Sequence, residues 1–171
     1  MSLKMGVHTY GDILITSYDG EVIVGKFCSL ASGVQAVFLL DHHTDWITTY
    51  PFCIKWVLPD VGRQEKHQEG ITVGNDVWIG ANVILLGGAN IQDGAVIGAY
   101  SVVSGQIPPY TVAVGNPARP VKKRFSDKEI KELLEIKWWD WPEDKIKKFA
   151  KPLSSGDIKN FIREIKEYED V

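Results

Sequence analysis

"VGNDVWIGANVILLGGANIQDGAVIGAYSVVSGQIP", residues 73–108, decides the fold once it is written in sixes. Val73, Ile79, Leu85, Ile91, Ile97 and Val103 fall in one column, and every member is aliphatic. Four residues after each come Val77, Val83, Ala89, Ala95, Ser101 and Ile107, mostly small or β-branched; glycine follows the first column at Gly74, Gly80 and Gly98. Such a period is neither helical nor simple strand alternation, so the hexad is itself the structural unit. The pattern predicts an all-β solenoid, a parallel β-helix of triangular section in which each hexad makes one short face and one bend. Three hexads then close one coil. First-column aliphatics point inward and stack on their equivalents in the next coil, while small residues and glycines allow the bends.

Upstream, Val24-Gly25, Cys28, Leu30 and Val34 follow the same rule, which places Cys28 inward as a small, inert core residue. Between Ala36 and Gly70 the register is lost and the composition turns polar and aromatic. A long excursion from a compact solenoid points to a functional loop. It contains "LDHHTDWITTYPF", residues 40–52, which fits neither a helix nor a strand pattern. Downstream of Pro108-Pro109 the repeat gives way to "VGNPARPVKKRF" and then to helices. Ser126 to Glu129 reads as a capping box, with Ile130, Leu133 and Leu134 as an apolar stripe ahead of Trp138-Trp139. A second helix begins near Pro142, and a third carries Ile158, Phe161, Ile162 and Ile165 on one face. These faces are expected to cover the open end of the β-helix or a neighbouring subunit. The organisation is therefore a β-helical domain over 1–115 with an excursion loop at 37–70, followed by a basic turn and helical tail over 116–171.

Composition narrows the class. With 171 residues, 44% hydrophobic and 24% charged, the chain has the size and balance of one soluble domain with a real core. Apolar runs such as Ala36 to Leu40 fall far short of a membrane span, and the amino terminus has no apolar leader region, so a cytoplasmic protein without a membrane partner is expected. Cys28 and Cys53 cannot build a disulfide framework. A formal charge of -3 gives no general attraction for nucleic acid, so any anion site must be a local cluster.

The stretch "ITVGNDVWIGANVILLGGANIQDGAVIGAYSVVSGQIPPYTVAVGNPARPVKKRF" resembles the carboxy-terminal half of the hexapeptide-repeat acyltransferases. That resemblance implies a left-handed parallel β-helix, a homotrimer and acetyl-CoA as co-substrate, with no metal. "DHHTDWITTYPF" is similar to the loop of the xenobiotic acetyltransferase branch, which includes streptogramin and hexapeptide-type chloramphenicol acetyltransferases, and "KRFSDKEIKELLEIKWWDWPEDKI" is similar to its tail.

The resemblance implies His42 as general base. Independently, moving an acetyl group from a thioester to an alcohol or amine requires removal of the acceptor proton near neutral pH, work suited to neutral imidazole. His43 stands where the branch usually has arginine. His8 and His67 lack such a context and read as loop or surface residues. Cys53 could be offered as a nucleophile, but direct transfer does not need one. Asp45 could orient an imidazole, bind the acceptor or cap the turn before Trp46. Trp46, Tyr50 and Phe52 could wall an acceptor pocket or pack the loop on the solenoid.

The wider family places acyl-CoA contacts at Ala81, Ala99, Ser104, Gly105, Arg119 and Lys122, with Trp78 close by. Small residues at the first four would let a pantetheine arm approach the coil backbone, and Arg119 with Lys122, Lys123 and Arg124 would neutralise phosphates. Where the family often has Thr-Lys, this chain has Ser104-Gly105, so phosphate binding falls to the later cluster.

The resulting expectation is an acetyl-CoA-dependent O- or N-acetyltransferase acting on a small acceptor. The loop departs from the resistance-type sequence and lacks a long insertion, which tilts the acceptor toward a sugar-like molecule, with an antibiotic as the alternative. A zinc hydrolyase using His42, His43 and His67 is disfavoured because adjacent histidines diverge on an extended chain. A noncatalytic binding scaffold is the remaining class, and it predicts no binding of acetyl-CoA.

Overall fold

A computed structural model of the chain describes residues 2–16, 20–38, 42–58 and 69–169. It is a left-handed parallel β-helix with α-helices at its carboxy-terminal end. One side of the prism is a five-stranded sheet of β1 (Ser2–Met5), β3 (Glu21–Val24), β6 (Ile71–Val73), β9 (Asn90–Ile91) and β12 (Gln106–Ile107). The second side stacks β4 (Ser29–Leu30), β7 (Trp78–Ile79), β10 (Val96–Ile97) and β13 (Thr111–Val114), with β14 (Arg119–Lys123) on its edge. The third stacks β2 (Ile13–Ile15), β5 (Val34–Val37), β8 (Ile84–Leu86) and β11 (Val102–Val103).

Register explains why the hexads repeat. Thr72 pairs with Asn90, Trp78 with Val96 and Ile84 with Val102, each step being three hexads. Both sequence columns face inward: Ile79, Leu85 and Ile97 are fully buried, and so are Val83, Ala95 and Ser101. Every first-column residue therefore sits on its counterpart one coil away, burying one continuous core.

The bends have a different cause from the one the glycine column suggested. Left-handed backbone falls three residues after the first column, at Asp76 (φ 53°), Asn82 (φ 55°), Gly88 (φ 82°), Gly94 (φ 68°) and Tyr100 (φ 61°). Asn, Asp and Gly adopt this conformation at low cost, which is why they recur there. Gly80, directly after the first column, serves close approach: a Cβ on it would lie 2.6 Å from the backbone nitrogen of Ala99 in the next coil.

The last coil departs from the pattern. Thr72 pairs with Asn90 but Asn90 pairs with Gln106, a step two residues shorter, and the shortening falls at Ser104-Gly105. Ile107 consequently pairs with Ile91 and belongs to the first column, where the strict six-residue count put it in the second. The chain then makes β13 and turns back, and the segment read as a basic turn forms β14, antiparallel to β13.

In the tail, α2 (Asp127–Ile136) opens with the expected capping box, Ser126 Oγ accepting from the Glu129 amide while the Glu129 carboxylate accepts from the Ser126 amide. A 3-10 turn (Trp138–Asp140), α3 (Glu143–Leu153) and α4 (Ile158–Glu169) follow. Within this chain the tail packs on the side of the solenoid. It lies along the corner between the first and second sides, marked coil by coil by His8, Phe27, Asp76, Gly94 and Tyr110, all with positive φ. Phe27 packs between His8 and Trp138, at ring distances of 4.6 and 4.8 Å. Tyr110 joins Ile130, Leu133, Trp139, Phe149, Phe161 and Ile165 in a second core. Ion pairs Lys26–Asp140 (3.0 Å), Asp76–Arg124 (3.6 Å) and His8–Glu143 (3.6 Å) flank it. The bends present aromatic residues along this strip, and the helices bury their apolar faces there.

Candidate active site

The excursion leaves the corner between the third and first sides, after β5, and returns at β6. Across it Ser29 pairs with Trp78 and Gln35 with Ile84, so the coils close on each other as if the loop were absent. The loop's described portion runs from His42 to Leu58 and contains one helical turn, α1 (Phe52–Lys55). Asp41 and His67 lie outside the described residues.

His42 is exposed, and its Nδ1 is in short hydrogen-bond contact with the Thr49 carbonyl oxygen. A carbonyl only accepts, so Nδ1 must carry the proton, and Nε2 is left as the basic lone pair. Backbone thereby fixes the tautomer. Immediately after Thr49, Tyr50 meets Phe52 at 4.8 Å and Trp56 at 6.4 Å, and Phe52 meets Trp56 at 4.7 Å, all edge-on. The backbone of α1 places Trp56 one turn after Phe52, its amide donating to the Phe52 carbonyl. Trp56 is 63% exposed, so this aromatic cluster presents surface to solvent in the same loop as His42. Sequence reasoning passed over Trp56; its spacing of one helical turn from Phe52 was the available signal.

His43 takes a separate arrangement. It stacks on Trp46 with ring centroids 4.1 Å apart and an interplanar angle of 3°, and its Nδ1 lies 3.3 Å from Asp45 Oδ1. Asp45 is thus placed to orient His43. Cys53 is half-buried and free, while Cys28 is buried, and burial pushes its thiol pKa up, as an inert core residue requires.

The residues expected to hold acyl-CoA divide between two corners. Ala81 and Ala99 stack at the corner between the second and third sides, where the Tyr100 amide donates to the Ala81 carbonyl at 2.8 Å. Trp78 projects from the second side, 57% exposed, close to that corner. Ser104 and Gly105 stand at the corner from which the His42 loop departs, and a Cβ on Gly105 would meet nothing within 4 Å. Arg119 and Lys122 lie on the exposed strand β14. The basic cluster is not uniform: Lys123 pairs with Asp127, and Arg124 donates to the Gly94 carbonyl at 2.7 Å and faces Asp76. Arg124 is therefore a structural tie between tail and coil.

No three His, Cys, Asp or Glu side chains converge as metal ligands among the described residues. Among the same residues no helix is long and apolar enough to cross a membrane.

Residues 70–105 match the bacterial transferase hexapeptide (six repeats) family. The chloramphenicol acetyltransferase of Agrobacterium fabrum is 38% identical over 153 residues, covering 84% of this chain and 71% of that protein. A probable macrolide acetyltransferase of Lysinibacillus sphaericus is 44% identical over 132 residues, covering 74% of this chain and 73% of its own length. Among solved structures, a hexapeptide-repeat-containing acetyltransferase from Vibrio cholerae superposes with a TM-score of 0.54 at 28% identity, over 72% of this chain and 64% of that one.

Proposed function

This chain belongs to the hexapeptide-repeat acetyltransferases, acyl-CoA-dependent enzymes related to the chloramphenicol and macrolide acetyltransferases, and from that premise we propose that it acetylates a hydroxyl of an antibiotic acceptor. The observation that carries the mechanism is the His42–Thr49 contact, which leaves Nε2 free to act. Nε2 removes the acceptor hydroxyl proton as the oxygen attacks the thioester carbonyl carbon. The carbon–sulfur bond then breaks, and the imidazolium returns its proton to the departing thiolate. Tyr50, Phe52 and Trp56 offer aromatic faces for a flat acceptor.

A sugar-like acceptor, expected from the short loop, gives way here. The relatives matched over most of the chain are named for chloramphenicol and a macrolide, which supports the antibiotic reading instead. Ala81 and Ala99 with Arg119 and Lys122 form the proposed donor groove, and Ser104-Gly105 lies at the other edge of the third side, at the corner from which the His42 loop departs in an earlier coil. A homotrimer reconciles the two corners, since a neighbour's His42 loop could then face the Ala81–Ala99 edge.

The test follows free-thiol release from acetyl-CoA with chloramphenicol, a macrolide and a panel of sugars. Thiol release dependent on an antibiotic is the expected result; turnover with sugars alone would restore the sugar reading. Failure of the protein to bind acetyl-CoA at all would favour the noncatalytic scaffold.

A further inference from the structure

The seam between the helical tail and the solenoid encloses a cavity of about 70 Å³, away from the His42 loop. Asp76, Tyr110, Arg124 and Ser155 make its polar wall, and Leu133, Trp138 and Phe161 belong to its apolar wall. Tyr110 is only 2% exposed, yet its hydroxyl has no hydrogen-bond partner. A buried hydroxyl in that state is uncommon in folded proteins and points to a missing partner. The space is several times the roughly 10–15 Å³ that one water needs. Asp76 and Arg124 side chains are 29% and 31% exposed, so the polar wall is also the way in.

We propose that this cavity is a second binding site, for a small uncharged ring compound carrying one hydroxyl, seated against Tyr110. Three features select that chemistry. Asp76 and Arg124 face each other at 3.6 Å and cancel in charge, so neither a carboxylate nor an ammonium gains net attraction. The Tyr110 hydroxyl can donate or accept, as a ligand hydroxyl also can. Aromatic and aliphatic side chains around the remainder favour a ring over a sugar. A ligand here would touch α2, α4 and the coil corner together, and would bind only while the tail is docked. Among the described residues, its lining includes none from the His42 loop or the proposed donor corners.

Phenol and toluene are probes of similar size that differ by the hydroxyl. Calorimetric titration of the full-length protein is expected to show phenol binding about tenfold more tightly than toluene, one hydrogen bond's worth of preference. In Tyr110→Phe, which keeps the ring, the two are expected to bind within about twofold of each other. Phenol should also raise the thermal midpoint of the wild type more than toluene does. Absence of binding by either probe overturns the proposal and leaves a cavity filled by solvent only. Equal affinities in wild type, or a phenol preference retained in Tyr110→Phe, overturn the assignment to Tyr110.

Discussion

His42 owes its chemical state to a backbone atom. The Thr49 carbonyl accepts from Nδ1, which leaves Nε2 as the ring nitrogen proposed to act as base. His42→Ala is expected to lower kcat/KM by about 10²–10⁴, with an unchanged thermal midpoint because the side chain is exposed; acetyl-CoA titration of the variant checks that donor binding persists. The sequence singled out His42 as the candidate base from its place in "DHHTDW", but not its contact with Thr49, since a carbonyl acceptor leaves no mark in residue identity. Asp45 shows the same limit: the sequence left its role open, and only the folded loop brings it within 3.3 Å of His43 Nδ1. Asp76 carries a prediction with a definite sign. Burial raises its pKa above the ordinary 3.8, outweighing the attraction of Arg124. The stability it contributes is therefore present below the usual carboxylate range and lost as pH rises through the raised value. Asp76→Asn should gain on the wild type as pH goes from about 3 to about 6, read from urea midpoints at each pH.

At the level of elements, each hexad satisfies two demands that fall on different residues. Glycine after the first column lets coils approach, and Asn, Asp or Gly two residues later turns the corner. Gly80→Ala forces a Cβ against the next coil and should cost about 1–3 kcal/mol in urea denaturation. Gly105→Ala has open space around it and should leave stability unchanged in the same measurement. Hexads were readable because the same side-chain types return at every turn. The shortened final coil was not, because Ile107 is aliphatic in either column and only its pairing with Ile91 tells them apart. Likewise α2 announced itself through Ser126 and Glu129, but β14 did not: "RPVKK" has a proline and charges throughout, and it becomes a strand only because β13 offers an open edge.

For the whole molecule, the docking of the tail could not be read from sequence, since its landing strip is assembled from His8, Phe27, Asp76 and Tyr110, one residue per coil. That docking divides the basic segment by role. Arg119→Ala with Lys122→Ala should weaken acetyl-CoA about tenfold or more with little change in stability. Arg124→Ala should instead lower the unfolding midpoint, because it unties Gly94 and Asp76, with donor affinity preserved. Calorimetry and thermal denaturation separate the two outcomes. The register that closes over the excursion, Ser29 on Trp78 and Gln35 on Ile84, has a consequence for how such a protein can change. The stacked coils read only the two cut ends, so the chain between them behaves as a cassette: it can be lengthened, shortened or exchanged with a cousin's in one genetic event. New acceptors could then be tried against an unaltered scaffold, without repaying the cost of folding each time.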